Sequence, residues 1–391
     1  MVLFTIPRRV RRALLAVLVT VLCLLLMLVA GTCVYAYTLN GRMYFQTATM
    51  PADVRAQFRL LSKVLDTAQP PELPDIYSGY SRLCGWSYEW ALVFCGFYSM
   101  ALAEQADAQP GFAPEAAARI HHCARIIMAI PEELPDADIP GYCAERTYGL
   151  APILAGYRGL VLATRRKMMN DDLFDVALTQ IVSRLATAIT SCYESSASVW
   201  PADQALHLHA IALCDESMGT DHRWLNSYWQ SNVLERFQDP ATGFIHARVA
   251  TGPDRVLIKP CATSAAWLAL LLADVLPDFA RQQYEALCRY REFHLGPFEA
   301  TKEFGGFRLA LGDVYSGPLL LGLSPAASGF TLCAHKLFGE EERFTRTWRV
   351  FEVFGMPRTD TRGKRYYLGN AMGDAVLLYA KVAQPRVVTD Y

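Results

Sequence analysis

From residue 50 onward the chain repeats one pattern, in which an apolar stretch of helical period is closed by Pro, Gly, Asn or Asp and begun again at intervals of about 15 to 25 residues. The stretches fall into pairs: 50–66 with 86–104, 113–130 with 147–168, 172–193 with 202–217, 222–237 with 262–275, 279–291 with 317–336, and 340–352 with 368–384. Twelve apolar stripes in sequential pairs must all be buried against one another. An all-α (α/α)6 toroid of six helical hairpins does this, with inner helices ringed by outer ones and a cavity at the inner-helix ends. A simple helical array is the alternative.

Two interruptions stand out. Gly243-Phe-Ile-His-Ala-Arg-Val-Ala and Val256-Leu-Ile-Lys flank Thr251-Gly-Pro-Asp and read as a short β-hairpin. Pro70 to Gly85 is a proline- and tyrosine-rich connection too irregular for helix. Loops of that length in a packed domain are often functional.

Before this pattern comes a stretch of another kind. Arg8, Arg9, Arg11 and Arg12 precede an uncharged run from Ala13 through Gly41 whose centre is almost purely aliphatic. About 20 apolar residues cross a hydrocarbon core, whereas a cleavable signal has a core of about 7 to 15. The run therefore reads as an uncleaved anchor, with a signal cut after Val34-Tyr35-Ala36 as the alternative. The arginines place the first dozen residues in the cytoplasm. The expected organisation is a cytoplasmic basic segment over 1–12, a transmembrane anchor over 13–38, a juxtamembrane linker over 39–50, and a helical domain over 51–391. The membrane is then a bacterial inner membrane crossed once, and the domain is periplasmic or extracellular.

Hydrophobic residues make up 52% of the chain and charged residues 19%, which excludes long disorder and leaves enough apolar surface for a large core. Lys and Arg total 37 against 38 Asp and Glu, so no basic field is present to hold nucleic acid. The 11 cysteines contain no CxxC pair and no zinc spacing. Cys95, Cys123, Cys214, Cys288 and Cys333 lie in apolar helical runs and read as buried thiols. Cys84 and Cys143 are the candidates for a disulfide. No P-loop, GxGxxG, HExxH or GxSxG is present.

Three runs hold candidate chemistry. In Ser198-Val-Trp-Pro-Ala-Asp-Gln-Ala-Leu-His, Pro201 suits a first helical turn and Asp203 the positive end of the helix dipole. Asp203 and His207, four apart, share a helix face and can work as an acid/base pair; a helix-terminal acid beside a packed histidine is the plainer reading. Asp313 and Tyr315, in Gly312-Asp-Val-Tyr-Ser-Gly-Pro, would stand at a helix mouth, or form a turn with a capping acid. Asp374 lies within an apolar helix and needs a partner there. Asp75, Tyr77, Tyr80, Trp86 and Glu89 add acids and aromatic rings near the same mouth, Trp200 borders the first run, and Lys259 puts a cation at the hairpin's end.

Asp75 through Ala101, Trp200-Pro-Ala-Asp203, Lys259-Pro followed by the Trp267 helix, and Gly373-Asp374-Ala-Val-Leu-Leu-Tyr-Ala-Lys-Val resemble, in content and order, the linalool dehydratase/isomerase family over roughly residues 55 to 385. The resemblance implies an (α/α)6 toroid that often assembles as a homo-oligomer, with a cavity for a small hydrophobic tertiary alcohol and no metal or organic cofactor. It also implies acid/base dehydration by an Asp and a Tyr near the first helices, matched by Asp75 and Tyr80, with a His and cysteines. Glu145-Arg-Thr-Tyr-Gly-Leu, where the family's His would fall, has none, and Val199 or Trp200 occupies the cysteine position. What carries over is the scaffold with Asp75, Asp203, Asp313 and Asp374 around a cavity.

The expected function is therefore a membrane-anchored lyase/isomerase-like enzyme, independent of cofactor and metal, acting on a small hydrophobic alcohol or related lipid. Catalysis would fall to Asp203, His207, Asp75, Tyr80, Asp313 and Asp374, and binding to Trp200, Tyr315, Trp86 and Lys259. A glycan hydrolase or lyase on the same scaffold is the alternative, since paired carboxylates suit glycoside cleavage. A non-catalytic binding module is the third reading.

Overall fold

The computed structural model describes residues 8–46, 49–67, 87–130, 151–192, 198–251, 254–305, 316 and 319–386. Helix α1, Arg8–Thr38, is long and apolar enough to cross a membrane, and none of its most apolar stretch is buried in the protein. Its end is fastened to the rest of the chain. The Arg349 guanidinium donates to the Leu39 carbonyl at 3.1 and 3.0 Å and lies 5.5 Å from the Tyr37 ring centre. A 3-10 turn, Gly41–Phe45, follows, and it buries Tyr44.

Twelve further helices follow in pairs: α2 (Ala52–Thr67) with α3 (Ser87–Ala108), α4 (Ala113–Ala129) with α5 (Ala151–Met169), α6 (Asp175–Ser191) with α7 (Pro201–Met218), α8 (Trp224–Phe237) with α9 (Ala262–Leu271), α10 (Pro277–Tyr290) with α11 (Pro325–Leu337), and α12 (Glu341–Phe354) with α13 (Ala371–Val382). Each expected pair is present. The main boundary difference is α11, which starts at Pro325 rather than 317: Ser324 caps it by accepting the Ala327 amide at 3.0 Å, and Pro325 fits the first helical position.

The odd- and even-numbered helices differ in sequence and in packing. Every residue of α9 except Trp267 is buried, and α11 is buried from Ala327 to Leu337. The stripes of α2, α10 and α12 are amphipathic, with Asp53 of α2 and Glu352 of α12 among the charges turned inward. Helix α3 packs on α5, α5 on α7, α7 on α9, α9 on α11, α11 on α13, and α13 on α3, so the succession returns to its start. One continuous core runs through all twelve.

The protein is mostly helical, but the all-α expectation needs correction, because seven short strands lie between helices. β1 (Ser198–Val199), β2 (Arg248–Thr251) and β3 (Asp254–Ile258) form one antiparallel sheet and include the expected hairpin. Two hairpins were not expected: β4 (Glu292–Leu295) with β5 (Phe298–Thr301), and β6 (Pro357–Asp360) with β7 (Gly363–Tyr366). Gly363, at φ +139°, permits the second, and a Cβ there would also strike the Ala56 carbonyl of α2.

Cys95, Cys123, Cys214 and Cys333 are buried free thiols, as expected, and Cys288 is half-buried and also free. Cys84 and Cys143 lie outside the described residues.

Candidate functional site

Helix α7 begins as its sequence requires. Trp200 is extended at the cap, Pro201 takes the first helical position, and Asp203 falls in the first turn, where exposed amide N–H groups favour a carboxylate. Gln204 fixes this end sideways: its carbonyl accepts from the Trp229 indole of α8 at 2.9 Å, and its amide reaches the Cys192 sulfur at 2.9 Å. Asp203 is half-buried and His207, one turn on, is buried. His207 packs against α5 at Gly156, where an added Cβ would lie 3.1 Å from the imidazole Cδ2 and 2.8 Å from Leu206 Cδ2. Only a hydrogen in place of a side chain lets the two helices approach this closely. His209 is also buried, and burial lowers its pKa, with Asp274 working the other way.

The β1–β3 sheet borders this helix start. Val199 pairs with Val249, and the adjacent Arg248 guanidinium lies 5.6 Å from the Trp200 ring centre. Lys259, at the end of the hairpin, is exposed. Asp374 stands in the first turn of α13, buried, with its Oδ1 accepting the Tyr366 amide at 3.2 Å. It thereby ties α13 to β7. In the packing succession α13 and α7 are three steps apart in either direction. Asp203 and His207 are thus brought together on one helix, while Asp374 belongs to another part of the assembly. Asp75, Tyr80, Trp86, Asp313 and Tyr315 lie outside the described residues.

A second constellation was missed from sequence. The β4–β5 hairpin, turned at Gly296-Pro297, sets His294 directly across from Glu299, and Glu292 shares the His294 face by strand alternation. The side chains of Glu292 and Glu299 are 2% and 1% exposed. Against them stand His335 of α11, fully buried, and Arg343 of α12, whose guanidinium pairs with Glu292. Burial raises the pKa of both carboxyls; His335 and Arg343 oppose this at Glu292, and His294 and Arg343 at Glu299. His335 is pushed down to about 4, again by burial, against the pull of Glu292. The signal in the sequence was Glu-x-His before Gly-Pro and Phe-Glu after it, a polar–apolar alternation only four residues long on each side.

A third buried group has equal numbers of acids and lysines, and one of its oxygens, Asp53 Oδ1, has no hydrogen-bond partner among the described residues. Lys381 Nζ lies 2.9 Å from Asp53 Oδ2, 3.1 Å from Gln57 Oε1 and 3.8 Å from Glu352 Oε1. Lys364 Nζ lies 2.6 Å from Glu352 and 3.2 Å from Asp53, and Tyr44 donates to Asp53 at 2.7 Å. Although burial opposes its charge, the Lys381 and Lys364 ammoniums hold the Asp53 carboxyl well below the usual carboxylate range. This network joins the 3-10 turn after α1 to α2, β7, α12 and α13.

Compared with known proteins, the chain matches no family model and no curated protein.

Proposed function

We propose that the chain is a membrane-anchored enzyme of linalool dehydratase/isomerase type, built on an (α/α)6 toroid and acting by acid/base chemistry on a small hydrophobic alcohol or related lipid. The toroid is supported by the returning succession α3, α5, α7, α9, α11, α13, with the even-numbered helices packed outside it. The connections within this scaffold are unequal. Those from odd to even helices are short, such as Asn170 to Phe174 and Phe338 to Glu340, and short connections make neighbours antiparallel. The odd-numbered helices then run in one direction, and their first turns share one end. Among the described residues expected to act, Trp200 and Lys259 lie on connections leading into inner helices, and Asp203, His207 and Asp374 lie in the first two turns of such helices.

The observation that carries the reading is the Asp203–His207 pair, a half-buried carboxylate and a buried imidazole one turn apart in the first two turns of such a helix. In this reaction a protonated His207 delivers a proton to the substrate hydroxyl, the C–O bond breaks and water leaves. Asp203 takes a proton from the carbon next to the cationic centre, and the C–H electron pair becomes the new double bond. Trp200, with Arg248 over its ring, walls the site, and exposed Lys259 stands at its rim. The arginines in the first turns of α1, ahead of its apolar stretch, support a cytoplasmic amino terminus and an outward-facing domain.

The test is turnover by the full chain in detergent. Terpene alcohols should be dehydrated or isomerised, and Asp203→Asn and His207→Gln should each lower kcat by about 10²- to 10⁴-fold with little change in Tm. Oligosaccharide cleavage lost in the same variants would favour the glycan reading instead. No turnover of either class, with both variants as stable as wild type, would leave the pair without a catalytic role.

A further inference from the structure

We propose that Glu292, Glu299, His294 and His335, with Cys288 beside them, form a binding site for one divalent first-row transition cation, Zn2+ before others, which ties the β4–β5 hairpin to α11 and α12. This goes against the expectation from sequence spacing, which held no metal set, and it does not depend on the function proposed above.

The first argument is the state of the donor atoms. Among the described residues no hydrogen bond reaches Glu292 Oε1, either oxygen of Glu299, or His335 Nε2. Buried carboxylate oxygens and imidazole nitrogens are normally satisfied, because leaving one bare costs about 1–3 kcal/mol, more when charged. Four such atoms converge here. Arg343 is the one guanidinium among the described residues that pairs with either carboxylate, and it engages Glu292 through Oε2, standing 4.0 Å from Glu299. Arg343 thus pairs with one of the two carboxyls and leaves the other, among the described residues, with only His294 and His335 as partners.

The second argument is spacing. Cys288, Glu292 and His335, and likewise Glu292, His294 and Glu299, each offer donor atoms within 4.8 Å of one another, with Glu292 common to both sets. A tetrahedral ion bound at about 2.0–2.1 Å holds its donors about 3.3 Å apart. Here His335 Nε2 is 3.4 Å from Glu299 Oε1 and 4.0 Å from Glu292 Oε1. His294 Nδ1 is 3.1 Å from Glu299 Oε2, and its Nε2 is 3.5 Å from Glu292 Oε2. These distances bracket the required edge.

The third argument is orientation. The Tyr284 hydroxyl lies 2.8 Å from His335 Nδ1, so the other ring nitrogen, Nε2, is the one turned toward the carboxylates. Ligating histidines are characteristically held in this way by a partner on the second nitrogen. Access is provided by His294, whose side chain is 47% exposed while the others are closed in. The imidazole and carboxylate mixture suits Zn2+, with Mn2+ and Co2+ following by shared geometry and donor preference.

The test uses the untagged full chain in detergent, stripped with chelator and titrated with Co2+ and then Zn2+. One Co2+ per chain should bind, give visible ligand-field bands and be displaced by Zn2+, and Zn2+ at 100 times its Kd should raise the stability by about 2.7 kcal/mol. Glu299→Gln and His335→Asn should each weaken binding at least tenfold, and Tyr284→Phe by about 10- to 100-fold. Should the first two variants fail to fold, the wild-type spectrum and Tyr284→Phe decide. Absence of Co2+ and Zn2+ binding by the stripped wild-type chain overturns the proposal, as does binding that Glu299→Gln and Tyr284→Phe leave unchanged.

Discussion

Two clusters of buried charge lie on either side of α12, and they differ in completeness. Around Asp53 the two acids and two lysines balance, each Nζ within 3.2 Å of a carboxylate oxygen, with Tyr44 and Gln57 using further valences. Around Glu292 the count is uneven, and several donor atoms face one another unbonded. The first cluster is a charge-balanced joint among α2, β7, α12 and α13, with a single oxygen, Asp53 Oδ1, left without a hydrogen bond among the described residues. The second has the form of a joint that lacks a cation. Burying charge is costly in both places, and only full pairing offsets it.

Asp53→Asn should have the largest effect. It leaves two buried ammoniums facing one carboxylate, and a loss of about 3–5 kcal/mol in urea unfolding is expected. A loss below about 1 kcal/mol would mean that the network is not a joint at all.

The pH dependence sharpens the same point. The folded-state pKa of Asp53 is depressed, so its contribution is fully present above the ordinary value of about 3.9 and is lost as pH falls below it toward the folded value. Chemical denaturation between pH 6 and 3 should show this decline, and Asp53→Asn should flatten it.

At the second cluster the sign reverses. In the metal-free protein Glu299→Gln removes an unbalanced buried negative charge, so stability should hold or rise by about 1 kcal/mol, whereas with Zn2+ present the same change should lower Tm relative to wild type. The smallest effect belongs to His294→Ala, at the exposed edge of the cluster, which should move metal-free stability by less than about 1 kcal/mol. If Glu299→Gln and Asp53→Asn proved equally damaging without metal, the contrast between the clusters would be lost.

Much of the architecture was legible because helix signals are local. Apolar residues at helical spacing, Pro at the first position of α7, α10 and α11, and Asn370 before α13 act within a few residues of one another. The β2–β3 hairpin was visible for the same reason, through its Gly-Pro-Asp turn between apolar strands. The β4–β5 and β6–β7 hairpins were not, since each strand is only four residues long, the apolar positions of Glu292–Leu295 face outward, and Gly363–Tyr366 is mostly Gly, Lys and Arg.

The candidate sites divide along the same line. Asp203 and His207 are neighbours by helical geometry alone, so four residues of sequence suffice to pair them. Asp374, read as a lone acid in an apolar helix, takes as one partner the backbone amide of Tyr366, which periodicity does not mark.

The sequence by itself determined the long apolar first helix, the six helical pairs and the closeness of Asp203 to His207 on α7, because each rests on contacts within one or two helical turns. Only the tertiary structure decided which buried charges are balanced by opposite ones and which are not. Lys381 meets Asp53 across 328 residues, and His335 meets Glu299 across a strand and a helix. Burial makes such charges consequential, and burial exists only once distant elements have packed.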